Sequence, residues 1–219
     1  MKTELILAVR AAGLPPSINT TGFHQMSLPV ITRILDDAGL FIGPRYLLEE
    51  MPEFKQIIPY NVLLYKGKVV RYTRTSNSGE GKLHGRVSIG VGGHIDLEDV
   101  IQDPTAVSHV RIGSTLMESA RREIQEEIAG LTKFYLHSWA GIVVNNEDAV
   151  GKVHIGVVGV WGLNEDPYDF TVEDALCQVG LEDHDELLSK AKGTGPDKFE
   201  AWTVAVLESN VIKDFSLIW

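Results

Sequence analysis

The chain has 219 residues, 44% of them hydrophobic, enough for one generous domain with a real core. Its 20 Lys and Arg face 30 Asp and Glu, a formal net charge of -10, so it lacks the cationic surplus with which proteins grip long nucleic acid. A small anionic ligand stays open, because a few local cations or a bound metal invert the field inside a cleft. The single cysteine, Cys177, excludes an internal disulfide and is compatible with a reducing compartment. The apolar stretch within Met1–Arg10 is too short and too charged for a signal sequence, and no run approaches the roughly 20 apolar residues of a membrane helix. These features lead us to expect a soluble cytoplasmic protein.

In chain order, Thr3 to Val9 reads as a short strand and the Gly13–Gly22 region, with Pro15-Pro16, as a loop. Ser27 and Pro29 open a helical pattern through Ile31, Ile34 and Leu35 that stops near Gly39, and Arg45 to Phe54 holds another helical turn. Residues 1–55 form an amino-terminal extension packed on a main domain, 56–219. From Gln56 the texture changes: Ile57–Tyr65 and Lys68–Arg74, split by Lys66-Gly67, read as a hairpin. Val87–Val91 is a strand ending in Gly92-Gly93. The polar segment from Asp96 to Ile112 has no clear period and reads as a loop or an insertion.

Helical periodicity is strongest from Thr115 to Ala129, where Leu116, Ala120, Ile124 and Ile128 recur at every fourth residue, with Ser114 as N-cap and Gly130 as terminator. Phe134–Val144 and Val153–Trp161 are strands joined by a polar loop, and Asp185–Ala191 and Pro196–Ser209 are helical. Strands and helices intermix, so the class is α/β (α+β) around a mixed sheet.

The stretch Arg122-Glu123-Ile124-Gln125-Glu126-Glu127 carries the chemistry. At about 100° per residue, Glu126 and Glu127 flank Glu123 within about 60° on the helix surface. Each like-charge pair costs a few tenths of a kcal/mol. Hard cations such as Mg²⁺ take oxygen ligands and convert that repulsion into binding. Arg122, beside Glu123 and four residues before Glu126, is placed to orient a carboxylate. A Glu-rich helix alone is most often a solvated face; what sets this one apart is its place after a Gly-Gly strand end and a loop.

Those residues resemble the signature of the Nudix hydrolases, G-x5-E-x7-R-E-U-x-E-E-x-G-U with U a bulky aliphatic residue. The Arg-Glu-aliphatic-x-Glu-Glu core is complete, and the resemblance spans roughly Gln56 to Ser209. The Gly79–Ile95 stretch, with Lys82-Leu83-His84-Gly85, also looks like a subgroup bearing amino-terminal extensions. Three departures stand out. A long insertion replaces the five residues after Gly92-Gly93, Ser114 stands at the first Glu, and Ala129-Gly130 replace the closing Gly and aliphatic residue. None removes a carboxylate of the core.

The resemblance implies a Nudix-like mixed β-sheet sandwiched between helices. It implies Mg²⁺ or Mn²⁺ held by Glu123, Glu126 and Glu127, the Gly92 carbonyl adding a ligand, and Arg122 orienting Glu123. The reaction implied is hydrolysis of a phosphoanhydride in a nucleoside diphosphate derivative, with Glu123 or a later acid taking the proton.

Arg74 and Arg86 are the cations best placed to grip substrate phosphates, ahead of Arg71 and Lys82. His94 is a candidate ligand contact. Glu147, Asp148, Glu173, Asp174, Glu182 and Asp183 are candidate acids outside the helix, whereas Trp139, Trp161 and Trp202 read as core. A Nudix-like nucleotide-binding or regulatory module without turnover is the alternative. Isopentenyl-diphosphate isomerase chemistry, which calls for a catalytic Cys, ranks below both. The expected partner is a small nucleotide, with no long nucleic acid and no membrane, and the extension and the apolar Phe215–Trp219 segment point to a homodimer.

Overall fold

At Lys66-Gly67 the backbone turns left-handed at both central positions, with φ of 48° and 77°. This is the geometry that matches the twist of a two-residue hairpin. It joins β4 (Phe54–Tyr65) to β5 (Lys68–Arg74) in antiparallel register, Leu64 opposite Val69. β5 pairs onward with β6 (Arg86–Ser88), Tyr72 opposite Ser88. The strand expected over Val87–Val91 breaks at Ile89, and its continuation, β7 (Gly90–Val91), pairs instead with β4, Asn61 opposite Val91.

The computed structural model describes residues 3–75, 83–172 and 176–216. Two compact units are distinguished, one of Met1–Tyr60, Gly92–Arg121 and Trp139–Val158, the other of Asn61–Val91, Arg122–Ser138 and Gly159–Trp219.

In the first unit β1 (Leu5–Arg10) pairs antiparallel with β3 (Leu40–Pro44) and with β4, Ala8 lying between Phe41 and Gln56. Flanked on both edges, Ile6 to Val9 are all buried, which is why the strand reads as a continuous apolar run. Strand β2 (Gly22–Gln25) pairs with β9 (Phe134–Val144). Helix α1 (Leu28–Ala38) buries Ile31 and Leu35, and α2 (Arg45–Leu48) is the expected single turn. The buried ammonium of Lys55 donates to Asn146 Oδ1, Gly151 O and Lys152 O at 2.8, 3.1 and 2.9 Å, tying β4 to α4 (Ala149–Lys152).

The segment before the acidic helix is ordered by local bonds rather than by a period. Asp96 and Asp99 form a reciprocal capping box, Asp103 Oδ1 accepts from Thr105 N and Oγ1, and Arg111 N donates to Ile101 O. The acidic helix itself, α3, runs Ile112–Glu127. It begins earlier than the pattern suggested: Thr115 N already donates to Arg111 O at 3.0 Å, so Ser114 lies inside the first turn and does not cap it. It also ends earlier, at Glu127. The chain continues as β8 (Ile128–Ala129) before Gly130 turns with φ 92°.

In the second unit β8 pairs with β11 (Thr171–Val172), and β12 (Leu176–Glu182) pairs with β5. β13 (Lys198–Phe199) lies parallel to β6, which makes the sheet mixed. β10 (His154–Leu163) supplies Trp161, fully buried with its indole N–H on Asn61 Oδ1 at 2.9 Å. Helices α5 (His184–Lys192), α6 (Ala201–Glu208) and α7 (Lys213–Ser216) complete the unit. Lys82, Glu173, Asp174 and the last three residues lie outside the described residues.

A Cβ on Gly92 would stand 2.0 Å from the Pro59 carbonyl oxygen, a backbone atom that cannot swing away. Gly92→Ala is therefore expected to destabilise the chain by about 1–3 kcal/mol, the usual cost of overpacking. Urea unfolding checks this, and an unchanged midpoint would mean the two segments are not in contact.

Candidate functional site

Helix α3 buries Leu116, Ala120 and Ile124 completely, and that fixes which way its carboxylates face. Glu123, with a side chain 12% exposed, and Glu126, 53% exposed, both reach the guanidinium of Arg122. The same nitrogen, Nη1, donates to Glu123 Oε1 at 2.7 Å and to Glu126 Oε2 at 2.9 Å. The second bond is an i,i+4 pair across one helical turn, and the first holds the better buried of the two acids. Carboxylate oxygens suit hard divalent cations. Among the described residues no group of three or more His, Cys, Asp or Glu has converged in ligating geometry. The acids share a face but are spread along it, with Arg122 in the role of counter-charge.

Glu127 points into a different surrounding. Its Oε2 is buried, and its charge acts on Tyr72 and Arg74 of β5. Burial pushes the Tyr72 phenol well above its ordinary pKa, and its hydroxyl donates to Gly90 O at 2.5 Å. Arg74 lies with its guanidinium carbon 5.7 Å from the centre of the Tyr72 ring. Burial by itself would lower the Arg74 pKa, but the oxygens of Tyr72, Glu200 and Glu127 outweigh it and raise the pKa, so the cation is permanent.

Arg74 was expected to grip substrate. Its Nε donates to Glu200 Oε1 at 2.5 Å, with the two side chains 15% and 6% exposed. Glu200 stands at the N-cap of α6 without capping it. Its backbone N–H donates to Val87 O, and its second oxygen accepts from Ser88 Oγ at 2.9 Å. Glu200 was not among the acids singled out from the sequence. Its one local signal is a lone acid heading the run Ala201 to Leu207, apolar but for Thr203.

The other candidates fall in varied places. Arg86, half-buried, donates to Phe199 O at 3.3 Å. Gly92 and His94 belong to the first unit, where the His94 ring lies 5.6 Å from that of His154. Asp148 caps α4 through Gly151 N, and Glu147 beside it is exposed. Glu182 is tied to Arg71 and Lys190, and Asp183 pairs with Lys68. Trp139 and Trp161 are core, while Trp202 is half-buried. Cys177 sits on β12 opposite Thr73.

No profile of a known protein family matches the chain. It is 33% identical over 115 residues to Protein YmaB of Bacillus subtilis, a match that spans about half of each protein, 52% of this chain and 52% of that one. Among solved structures it superposes with a TM-score of 0.69 on Tm1382, provisionally described as a Nudix hydrolase, at 20% identity over 97% of this chain and 100% of that one. A MutT protein from Methanosarcina mazei Go1 gives a TM-score of 0.48 at 17% identity, over 73% of this chain and 95% of its own. The chain has the Nudix fold, a mixed sheet with helices.

If Arg122 stands in for a cation between Glu123 and Glu126, its loss leaves two facing acids. Arg122→Ala is expected to cost about 1 kcal/mol in EDTA, or roughly 2–4 °C in Tm for a chain of this size. Millimolar Mg²⁺ is expected to close most of that gap. Scanning calorimetry with and without Mg²⁺ reads it; an equal deficit in both buffers would show that the turn has no use for a divalent ion.

Proposed function

We propose that this chain is a Nudix hydrolase that cleaves a phosphoanhydride bond in a nucleoside diphosphate derivative, using Mg²⁺ or Mn²⁺ held by Glu123, Glu126 and Glu127. The observation that carries the reading is the Arg122–Glu127 turn on this fold. Its aliphatic Ile124 is locked in the core while three acids project from neighbouring positions of the same turn. A divalent cation bound there would neutralise phosphate oxygens and acidify a water molecule.

The protein's own groups do the rest. Arg122 holds Glu123 in one orientation through the 2.7 Å bond, and Glu123 is our candidate for the group that takes the proton from the attacking water. Glu126, the more exposed of the two acids bonded to Arg122, would be the freer of them to exchange that bond for a divalent cation. Arg86 is assigned to a substrate phosphate. Arg74, turned toward Glu200, is assigned to the carboxylates rather than to substrate.

Among the described residues no helix is long and apolar enough to cross a membrane. A small nucleotide as partner and a cytoplasmic setting follow from the same reading. The exposed apolar residues Phe41, Ile42, Tyr46 and Leu47 of the amino-terminal segment support a homodimer.

A panel of nucleoside diphosphate derivatives, incubated with Mg²⁺ or Mn²⁺ and read by phosphate release after a coupled phosphatase, tests the activity. We expect at least one to be cleaved, and Glu127→Gln to lower turnover by at least a hundredfold without changing the melting temperature appreciably. Nucleotide binding with no product under any metal would establish the non-catalytic module instead. Most of the activity surviving in Glu127→Gln at saturating Mg²⁺ would remove that residue from the metal site.

A further inference from the structure

In the first unit, one side of β3 is a strand edge with no strand beside it. Among the described residues β3 has β1 as its one strand neighbour. Arg10 N donates to Gly39 O and Arg45 N to Glu4 O, and between these two bonds Ala8 lies opposite Phe41 and Ile6 opposite Gly43. Bonded and non-bonded pairs alternate along an antiparallel ladder, so Gly39, Phe41, Gly43 and Arg45 direct their backbone groups to β1. Leu40, Ile42 and Pro44 turn theirs outward. Proteins ordinarily guard such an edge with charged side chains, bulges or proline. In Leu40-Phe41-Ile42-Gly43-Pro44 the one guard is the proline, at the last position, which leaves the outward N–H groups of Leu40 and Ile42 in place.

Large apolar side chains border the same edge. Phe41, Ile42, Tyr46, Leu47 and Met51 are 38%, 37%, 63%, 47% and 37% exposed. The Phe41 ring lies 4.7 Å from that of buried Phe54, and Phe54 N donates to Met51 O, so the strand and the turn after α2 meet at one residue. Free side chains of this size present about 150–250 Å², so these exposures leave roughly 400 Å² of apolar surface per copy. Buried on both copies, in an interface about 60% apolar, that corresponds to about 1,300 Å² in all. A stable pair of proteins needs about 1,200–2,000 Å².

The charges fit an antiparallel copy. Arg10 flanks the Leu40 end, its Cδ 3.5 Å from where a Cβ on Gly39 would stand. Beyond Pro44, Arg45 is taken by Glu4 and Glu49, and the exposed Glu50 follows. Antiparallel pairing sets the Arg10 end of one copy against the Glu50 end of the other.

We infer that β3 is the interface of a homodimer, in which two copies of this chain pair β3 with β3 antiparallel about a two-fold axis at Ile42. Ile42 N–H reaches the partner's Ile42 carbonyl, Leu40 N–H reaches the partner's Pro44 carbonyl, and the axis repeats both bonds. Self-pairing covers this edge on both copies at once, so the contact closes at two chains and does not propagate into a fibre. The surface lies wholly within the first unit and is independent of the hydrolase reading.

Sedimentation equilibrium of the full chain tests this without any measurement of turnover. The wild type is expected to dimerise with a dissociation constant of about 10 μM or below, and a chain still monomeric at about 100 μM overturns the inference. Ile42→Pro removes an outward N–H while leaving the bonds to β1, a substitution that edge strands accept. It is expected to raise the dissociation constant at least about thirtyfold. A folded Ile42→Pro protein that dimerises like the wild type overturns the inference, because the contact then lies elsewhere. If circular dichroism shows Ile42→Pro unfolded, Tyr46→Glu carries the test, since that side chain is the most exposed of the patch. A weakening of about tenfold supports the interface, and an unchanged constant overturns it. Arg10→Glu and Glu50→Arg are each expected to weaken pairing about threefold, and together to return it to near the wild-type value. A double variant no tighter than either single one overturns the antiparallel arrangement.

Discussion

Three acids on one helical turn repel one another, and much of the surrounding polar structure is arranged around that repulsion. Each like-charge pair costs only a few tenths of a kcal/mol, but the acids cannot disperse. Ile124, between Glu123 and Glu126, is fully buried and fixes the rotation of the helix. Among the described residues, Arg122 bridges Glu123 and Glu126, and the charge of Glu127 helps to raise the pKa of Arg74. Arg74 in turn is shared with Glu200, and Glu200 with Ser88.

How much of this could be read from the sequence depends on the distance over which each signal acts. The Arg122–Glu127 turn is local, so spacing alone placed its acids on one ribbon and its aliphatic residue inward. The β4–β5 hairpin is local too, and Lys66-Gly67 announced it. Strand β12 was missed because its register shifts between Cys177 and Gly180, where Gln178 takes φ 51°, and the shift destroys the alternation by which a strand is recognised. The two-residue strands β8, β11 and β13 are too short to have a period. The Arg74–Glu200 pair joins residues 126 positions apart, and no local pattern records which acid a buried arginine will meet. Arg74 therefore looked like a free cation at the end of a hairpin.

The segment between Gly93 and α3 shows why a departure in loop length need not disturb the helix that follows. Several of its hydrogen bonds are local, Asp96 with Asp99, Asp103 with Thr105 and Arg111, Ile101 with Arg111 and Thr115, while Ile95 O accepts from Leu7 N on β1. Ser108 N on Asp36 Oδ1 adds one anchor to the end of α1. Loop closure becomes only slowly more costly with length, so a self-bonded insertion of this kind leaves the start of α3 defined by Arg111 and Thr115.

The position of the acids along α3 strengthens the case for a cation more than their number does. The last turn of a helix carries the negative end of its dipole and several carbonyls without intrahelical donors, which is why Lys, Arg and His are favoured there. Helix α3 has no basic residue in its last turn and closes on Glu126 and Glu127. Each acid at that end opposes the dipole by about 0.3–1 kcal/mol, in addition to the repulsion between the acids themselves. A helix shaped only for stability would place them in its first turn, where the same charges are favourable, yet α3 has no acid there. The sequence thus concentrates carboxylates at the one end of the helix where a bound cation would relieve the dipole and the mutual repulsion together.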